Sequence, residues 1–292
     1  MIKDQPTEWN KKIIEVEILS SIDGEIQKAK AFHAREVNRP LIISLHTWSS
    51  NYNKYDPISE FALNNDYNYI HPDFRGANNK GESCCSDKVI SDIDDAIRYM
   101  LKRGSSREQT YMIGLSGGAY TLFCSYLRSD YTISSYYAWN GISDLRSWAA
   151  QSKIKYRNYY DDIVSCTSND GYLKRSPLYM EFKDVSNERG KLHIFAGISD
   201  GKTGSVPYTH SIDFYNKIVR SNSSYNPEHA VSEVEIQRLH NFKSGEKKYR
   251  NIGKRAIVLE KKSPLVELII FEGGHEMLTD FTVKTILKDN ND

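Results

Sequence analysis

The chain reads as an α/β protein, a mostly parallel β-sheet covered by helices on both faces. Three observations carry this reading. Short apolar runs of strand length recur along the 292 residues, and segments with helical spacing lie between them. A Gly-x-Ser-x-Gly turn, Gly114-Leu115-Ser116-Gly117-Gly118, also sits where one of these strands passes into a helix.

The elements follow in order. Residues 13–19 and 26–32 alternate apolar and polar positions on either side of Ser21-Ile22-Asp23-Gly24, the pattern of an antiparallel hairpin with one solvated face. Leu41 to Leu45, after Pro40, is nearly continuous in apolar residues, as a strand covered on both faces must be. Tyr69-Ile70 is a weaker strand of the same kind. Val89, Ile90, Ile93, Ala96, Ile97, Met100 and Leu101 fall at helical spacing, and Gly104 supplies a stop. Tyr111 to Ile113 precedes the glycine-rich turn, and Ala119 to Leu127 continues it as a buried helix. Ser135 to Trp139, Leu192 to Phe195 and Val266 to Phe271 complete the strands, with a helix from Tyr208 to Val219.

The length allows one large core, and no linker divides it, so a single domain over residues 1–292 is expected. Two insertions interrupt the rhythm. Residues of about 141–180 are polar and aromatic and would roof the site as a lid. Residues of about 221–263 carry Arg238, Lys243, Lys247, Lys248, Arg250, Lys254 and Arg255 and read as a solvated surface excursion rather than a contact for an acidic polymer.

Basic and acidic residues nearly cancel, 39 against 38, so no global field favours nucleic acid or an anionic membrane. There is no apolar run of spanning length, and Met1 to Pro6 lacks the apolar core of a secretory signal. A soluble, cytoplasmic protein is the expectation. Cys84, Cys85, Cys124 and Cys166 show no metal spacing, and the adjacent pair is a poor staple, so free thiols in a reducing compartment are expected. The 20 tyrosines could line a sugar cleft or reflect coding bias.

The chemistry centres on Ser116. A serine hydroxyl needs a base, a carboxylate to orient that base, and donors for an oxyanion. The acid expected is Asp200, in Gly197-Ile198-Ser199-Asp200-Gly201 just after a strand, with Asp144 as a competitor. The base expected is His275, in Gly273-Gly274-His275-Glu276 after the last strand; His193, inside a strand, reads as structural. All these loops follow the carboxyl ends of strands, where an open α/β sheet gathers its functional groups. The oxyanion donors expected are the N–H of Gly117 and one from His46-Thr47-Trp48-Ser49-Ser50, Trp48 first and Thr47 next. Trp48, Tyr120 and Trp148 are the expected substrate contacts, with Tyr156, Tyr159 and Tyr160 further along the roof.

These residues resemble the α/β-hydrolase superfamily, and specifically the catalytic domain of the prolyl oligopeptidase family. The resemblance rests on His71-Pro72-Asp73-Phe74-Arg75-Gly76 with Gly81, on Leu115 to Tyr120, on Arg175-Ser176-Pro177-Leu178, on Gly197 to Val206 and on Phe271 to His275. It covers most of residues 10–220 and returns at the last of these segments. It implies an α/β-hydrolase fold, with a mostly parallel eight-stranded sheet and a lid-like insertion. It also implies Ser116, Asp200 and His275 as the triad, Arg75 as scaffold, and no metal or organic cofactor. Two departures stand out. The family's His-Gly-Gly loop is here His46-Thr47-Trp48, and its large β-propeller has no counterpart in the sequence. A lone domain of this kind is more similar to carboxylesterases and glycan deacylases, so a small-molecule or carbohydrate ester is the expected substrate. A serine peptidase is the alternative, and a non-catalytic binding protein on the same fold a second one.

Overall fold

Alternation places Val16 and Ile18 of β1 (Ile14–Leu19) inward, and β1 pairs antiparallel with β2 (Ile26–Phe32), Ile14 opposite Ala31 and Leu19 opposite Ile26. The computed structural model describes residues 7–182, 189–221, 226–243 and 250–290. β3 (Leu41–Leu45) is buried throughout, as its apolar run requires. α1 (Ile58–Asn65) leads to β4 (Asn68–Pro72), also wholly buried. α2 (Asp87–Leu101) starts on the Ser86 hydroxyl, which accepts from Val89 N, and buries Val89, Ile93, Ile97 and Met100 on one face.

β5 (Thr110–Leu115) turns through Ser116 into α3 (Gly117–Arg128), and β6 (Ser135–Trp139) follows. The first insertion folds into α4 (Leu145–Lys155), α5 (Arg157–Thr167) and α6 (Gly171–Lys174). β7 (Lys191–Gly197) and α7 (Thr209–Ser221) resume the alternation. After α8 (Glu233–His240) come β8 (Asn251–Ile252), β9 (Arg255–Lys262), β10 (Val266–Phe271) and α9 (Thr279–Asp289).

The sheet runs β1-β2-β4-β3-β5-β6-β7-β10-β9-β8. It is parallel from β4 to β10, and antiparallel where β1, β2, β8 and β9 flank it. The eight expected strands are all present. The sheet has ten because residues 251–262 of the second insertion form a hairpin on β10. That part is therefore not a plain surface excursion: Ile252 is fully buried, whereas Lys254 and Arg255 beside it stay exposed. Lys247 and Lys248 lie outside the described residues, as do Met1 to Pro6.

Because successive strand residues face opposite ways, Ile43, Met112, Ala138 and Ile194 pack on α2, α3 and α7. Ile42, Tyr111, Tyr137 and Phe195 pack instead on α1 and α9. Several tyrosines are core: Tyr69, Tyr111, Tyr120, Tyr126, Tyr136, Tyr137 and Tyr215 are among the largest fully buried side chains. Arg75 is scaffold as expected. Its buried guanidinium bonds Asp92 (2.5 Å), Asp23 and Glu25 (both 2.8 Å), tying the β1–β2 turn to α2.

The cysteines overturn the free-thiol expectation. Cys84 bridges Cys166 on α5, and Cys85 bridges Cys124 on α3. Adjacent cysteines serve two partners because both stand at positive φ, 50° and 56°, a tight turn that sends their side chains to different helices. Arg175 holds the same turn, donating from Nη1 to the Ser83 carbonyl (2.7 Å) and from Nη2 to that of Gly81 (2.8 Å). No helix among the described residues is long and apolar enough to cross a membrane.

Two expectations follow. In the chain-entropy account each bridge, closing loops of sequence separation 82 and 39, is worth about 4 kcal/mol. A Cys85→Ser, Cys124→Ser variant should therefore show a clearly lowered urea midpoint; an unchanged midpoint would refute the staple. The second concerns acid. Burial holds the rings of His71 and His210 down at about 4, against an ordinary 6.5. The unfolded chain takes up these protons near 6.5 and the folded chain only near 4, so stability falls as pH drops through that window and levels off below it. Each ring costs roughly 3 kcal/mol by its lower end. Urea unfolding at pH 7 and pH 4.5 should differ less in His210→Gln than in the wild type.

Candidate active site

The turn after β5 exists because its glycines lack side chains. A Cβ on Gly114 would lie 2.4 Å from the carbonyl of Gly118, and one on Gly117 would lie 2.3 Å from the backbone nitrogen of Trp48. Strand, helix and the loop after β3 therefore meet backbone to backbone. Ser116 sits at the apex with φ 58° and ψ −117°, a region that L-residues rarely occupy. Its N–H donates to the Trp139 carbonyl at the end of β6 (2.8 Å), which fixes the apex above the sheet.

Asp200 follows β7 in a turn closed on its own carboxylate. Oδ1 accepts from Gly201 N (2.9 Å) and Val206 N (3.1 Å), leaving Oδ2 free for His275 Nδ1 at 2.6 Å. The Asp200 side chain is fully buried, while the ring of His275 keeps 24% of its surface exposed. A carbonyl-free, acceptor-only partner at Nδ1 places the ring proton there, so Nε2 is the face left to accept one.

The competing acid is spent elsewhere. Asp144 caps α4, accepting from Arg146 N (2.9 Å), Ser147 N (3.3 Å) and Tyr179 OH (3.0 Å). His193 stacks on Tyr137 inside the sheet at 5.0 Å, the structural place its position indicated.

The structure thus joins Asp200 to His275 directly and Ser116 to them through the framework. Among the described residues no hydrogen bond links Ser116 Oγ to His275. What links the acid and base loops, next to the Trp139 carbonyl that holds Ser116, is Asn140, which sequence reasoning missed. Its Nδ2 donates to the Glu276 carbonyl (2.8 Å), its Oδ1 accepts from Gly197 N (3.0 Å), and its own N–H donates to the Phe195 carbonyl (2.7 Å). Asn140 is fully buried at φ 49°. The available signal was an Asn-Gly pair at a strand end, a usual site of left-handed backbone, but it gives no hint of what the amide reaches.

The N–H groups of Gly117, at the first turn of α3, and Trp48 donate to no protein acceptor among the described residues, and the two backbones are in contact. Thr47, just before Trp48 in the same loop, is exposed. The expected substrate contacts are all packed inward. Trp48 is 2% exposed and meets Trp148 edge-on at 4.7 Å and Tyr120 at 5.5 Å. Tyr120 is a core residue whose hydroxyl donates to the Arg175 carbonyl (2.7 Å), and Trp148 Nε1 donates to the Ser205 carbonyl (2.8 Å). Further along the roof, Tyr156 OH donates to the Gly204 carbonyl (3.0 Å) and Tyr159 lies against Trp148. Tyr160 faces the cations of Arg157 and Lys153 instead. α4 and the Tyr156 junction that follows it therefore rest directly on the loop that carries Asp200.

Solved structures with this architecture include the acylaminoacyl peptidase of Pyrococcus horikoshii, at 19% identity over 72% of this chain and 36% of that one, TM-score 0.57. Prolyl oligopeptidase B of Galerina marginata, bound to a 35mer hydrolysis and macrocyclization substrate, superposes over 95% of this chain and 36% of its own at 14% identity, TM-score 0.62. A puromycin-hydrolyzing peptidase of Mycobacterium tuberculosis matches at 15% identity over 72% of this chain and 34% of that one, TM-score 0.54. The chain spans about a third of the length of these proteins, and at such identities the likeness is one of fold. No curated protein matches. The model of the prolyl oligopeptidase family matches residues 54–252, which include Ser116 and Asp200 and stop short of His275. That match runs over more than half of the chain, which therefore belongs to the prolyl oligopeptidase family.

Proposed function

We propose that the chain is a serine peptidase cleaving short peptides, with Ser116 as nucleophile, His275 as general base and then acid, and Asp200 as the group that orients the imidazole. The observation that carries this is the buried Asp200–His275 hydrogen bond of 2.6 Å, set beside a strained serine turn in a chain of this family. Ser116 Oγ attacks the amide carbon as its proton passes to His275 Nε2. The proton then goes to the departing nitrogen as the C–N bond breaks, and water releases the acyl group by the same route. The N–H groups of Gly117 and Trp48 are the proposed oxyanion donors, each worth about 3 kcal/mol in the transition state. Trp48 is preferred to Thr47 as the second donor because its backbone nitrogen lies against Gly117. The peptide reading displaces the ester expectation because the family match and the solved relatives are named as peptidases.

The Ser116–His275 hydrogen bond would form as substrate settles, a tightening common to such sites. The two disulfides favour an oxidising compartment over the cytoplasm, where thiol buffers would reduce them.

A fluorophosphonate probe should label the wild type and leave Ser116→Ala unlabelled; labelling that persists in the variant would move the nucleophile elsewhere. In a panel of aminoacyl p-nitroanilides and p-nitrophenyl esters, Ser116-dependent release from the anilides is expected. Turnover of the esters alone would restore the esterase reading. Asn140→Ala should lower kcat/KM about 100-fold by loosening both the acid and base loops. Asn140→Asp, which keeps the Gly197 acceptor and loses the Glu276 donor, should fall between. Equal rates in all three proteins would remove Asn140 from the argument.

A further inference from the structure

A cavity of about 280 Å³ opens on the α1/α9 face of the sheet, bordered by the loops after β3, β5 and β10. Leu115 precedes the nucleophile, Thr47 precedes Trp48, and Met277 lies two residues past His275. Most of its wall is apolar, yet two buried polar groups in it have no partner. His71, 3% exposed, holds the Ser44 carbonyl with Nδ1 at 2.7 Å; a carbonyl only accepts, so the proton is on Nδ1. Nε2 is then a bare acceptor, buried and without a partner, and the Tyr55 hydroxyl is likewise buried and unpartnered. Asp56, also in the wall, is already engaged by Tyr69 OH at 2.6 Å and Ile58 N at 3.1 Å. An unmet buried acceptor is destabilising, and a ligand with a donor would relieve it.

The chemistry says which part of a substrate belongs here. His275 must hand its proton to the departing atom, so the leaving group lies on the side of the His275 loop. The cavity lies on that side, its wall reaching Met277 and Thr279 just past His275, while the roof rests on the Ser205 and Gly204 carbonyls of the acid loop.

We propose that this cavity receives the leaving group, and that His71 Nε2 selects one with a hydrogen-bond donor at its far end. The inference rests on the peptidase reading. In a peptide the selected residue follows the scissile bond and carries a small hydroxyl or amide side chain such as that of Thr, Ser or Asn. The volume accommodates a side chain of that size at the lower end of usual ligand pockets. A site built to pair a hydroxyl rejects the analogue lacking it, because its own acceptor is then stranded.

The test uses N-acyl dipeptide amides that differ only in the second residue, Thr or its isostere Val. Their first residue is the one ranked best by the anilide panel. Wild type should favour Thr about tenfold in kcat/KM. His71→Phe should bring that ratio close to one, and Tyr55→Phe should reduce it less. The ratio is internal to each protein, so a general loss of folding or activity does not move it. An enzyme that labels at Ser116 and cleaves anilides, but cleaves Thr and Val amides equally, overturns the pocket and leaves the proposed function standing. A Thr preference that survives in His71→Phe also overturns it. Absence of any Ser116-dependent amide cleavage overturns both.

Discussion

The site depends on a contact that admits no side chain. The end of β5, the start of α3 and the loop after β3 press together at Gly114 and Gly117, where a Cβ would lie only 2.4 and 2.3 Å from backbone atoms. That approach forces Ser116 to φ 58° and ψ −117°, a conformation costing on the order of 1–3 kcal/mol that the surrounding packing must hold. It also lays the backbone nitrogen of Trp48 against Gly117, so the proposed nucleophile and the proposed oxyanion donors share one geometric constraint.

The supports around this contact are polar and long-range. Asn140 joins the ends of β6, β7 and β10 through three hydrogen bonds, so the acid and base loops move as one piece. On the other side the turn at Cys84-Cys85 is tied to α3 and α5 by disulfides and to the segment after the roof by Arg175. Arg175 also accepts from Tyr120 of α3 at its carbonyl, closing a ring of contacts from elbow to roof. The roof is thereby a fixed wall over the Asp200 loop rather than a loose insertion, held by Trp148 and Tyr156 on the carbonyls of Ser205 and Gly204.

Some errors of sequence reading have plain causes. Free thiols were expected because adjacent cysteines cannot bridge each other or share one partner easily. Two successive left-handed residues, which send Cys84 and Cys85 to different helices, leave no mark in composition. Residues 251–262 looked like surface because Lys254 and Arg255 dominate them, yet Ile252 and Ala256 are enough to seat a hairpin on β10. Tyr120 looked like a pocket wall from its place beside the elbow, but its ring faces inward from the helix.

What the sequence determined was whatever is local or periodic: the strands, which residues alternate inward, the small-residue turn at Ser116, and the order of serine, acid and histidine along the chain. These are set by pleat, helix period and steric bulk, all readable within a few residues. Which acid meets His275, which amide faces Gly117, where four sulfurs pair and that His71 is left with an open nitrogen were decided only by tertiary structure. Each depends on groups tens of residues apart, whose distances follow from how the sheet twists and packs and not from any local pattern.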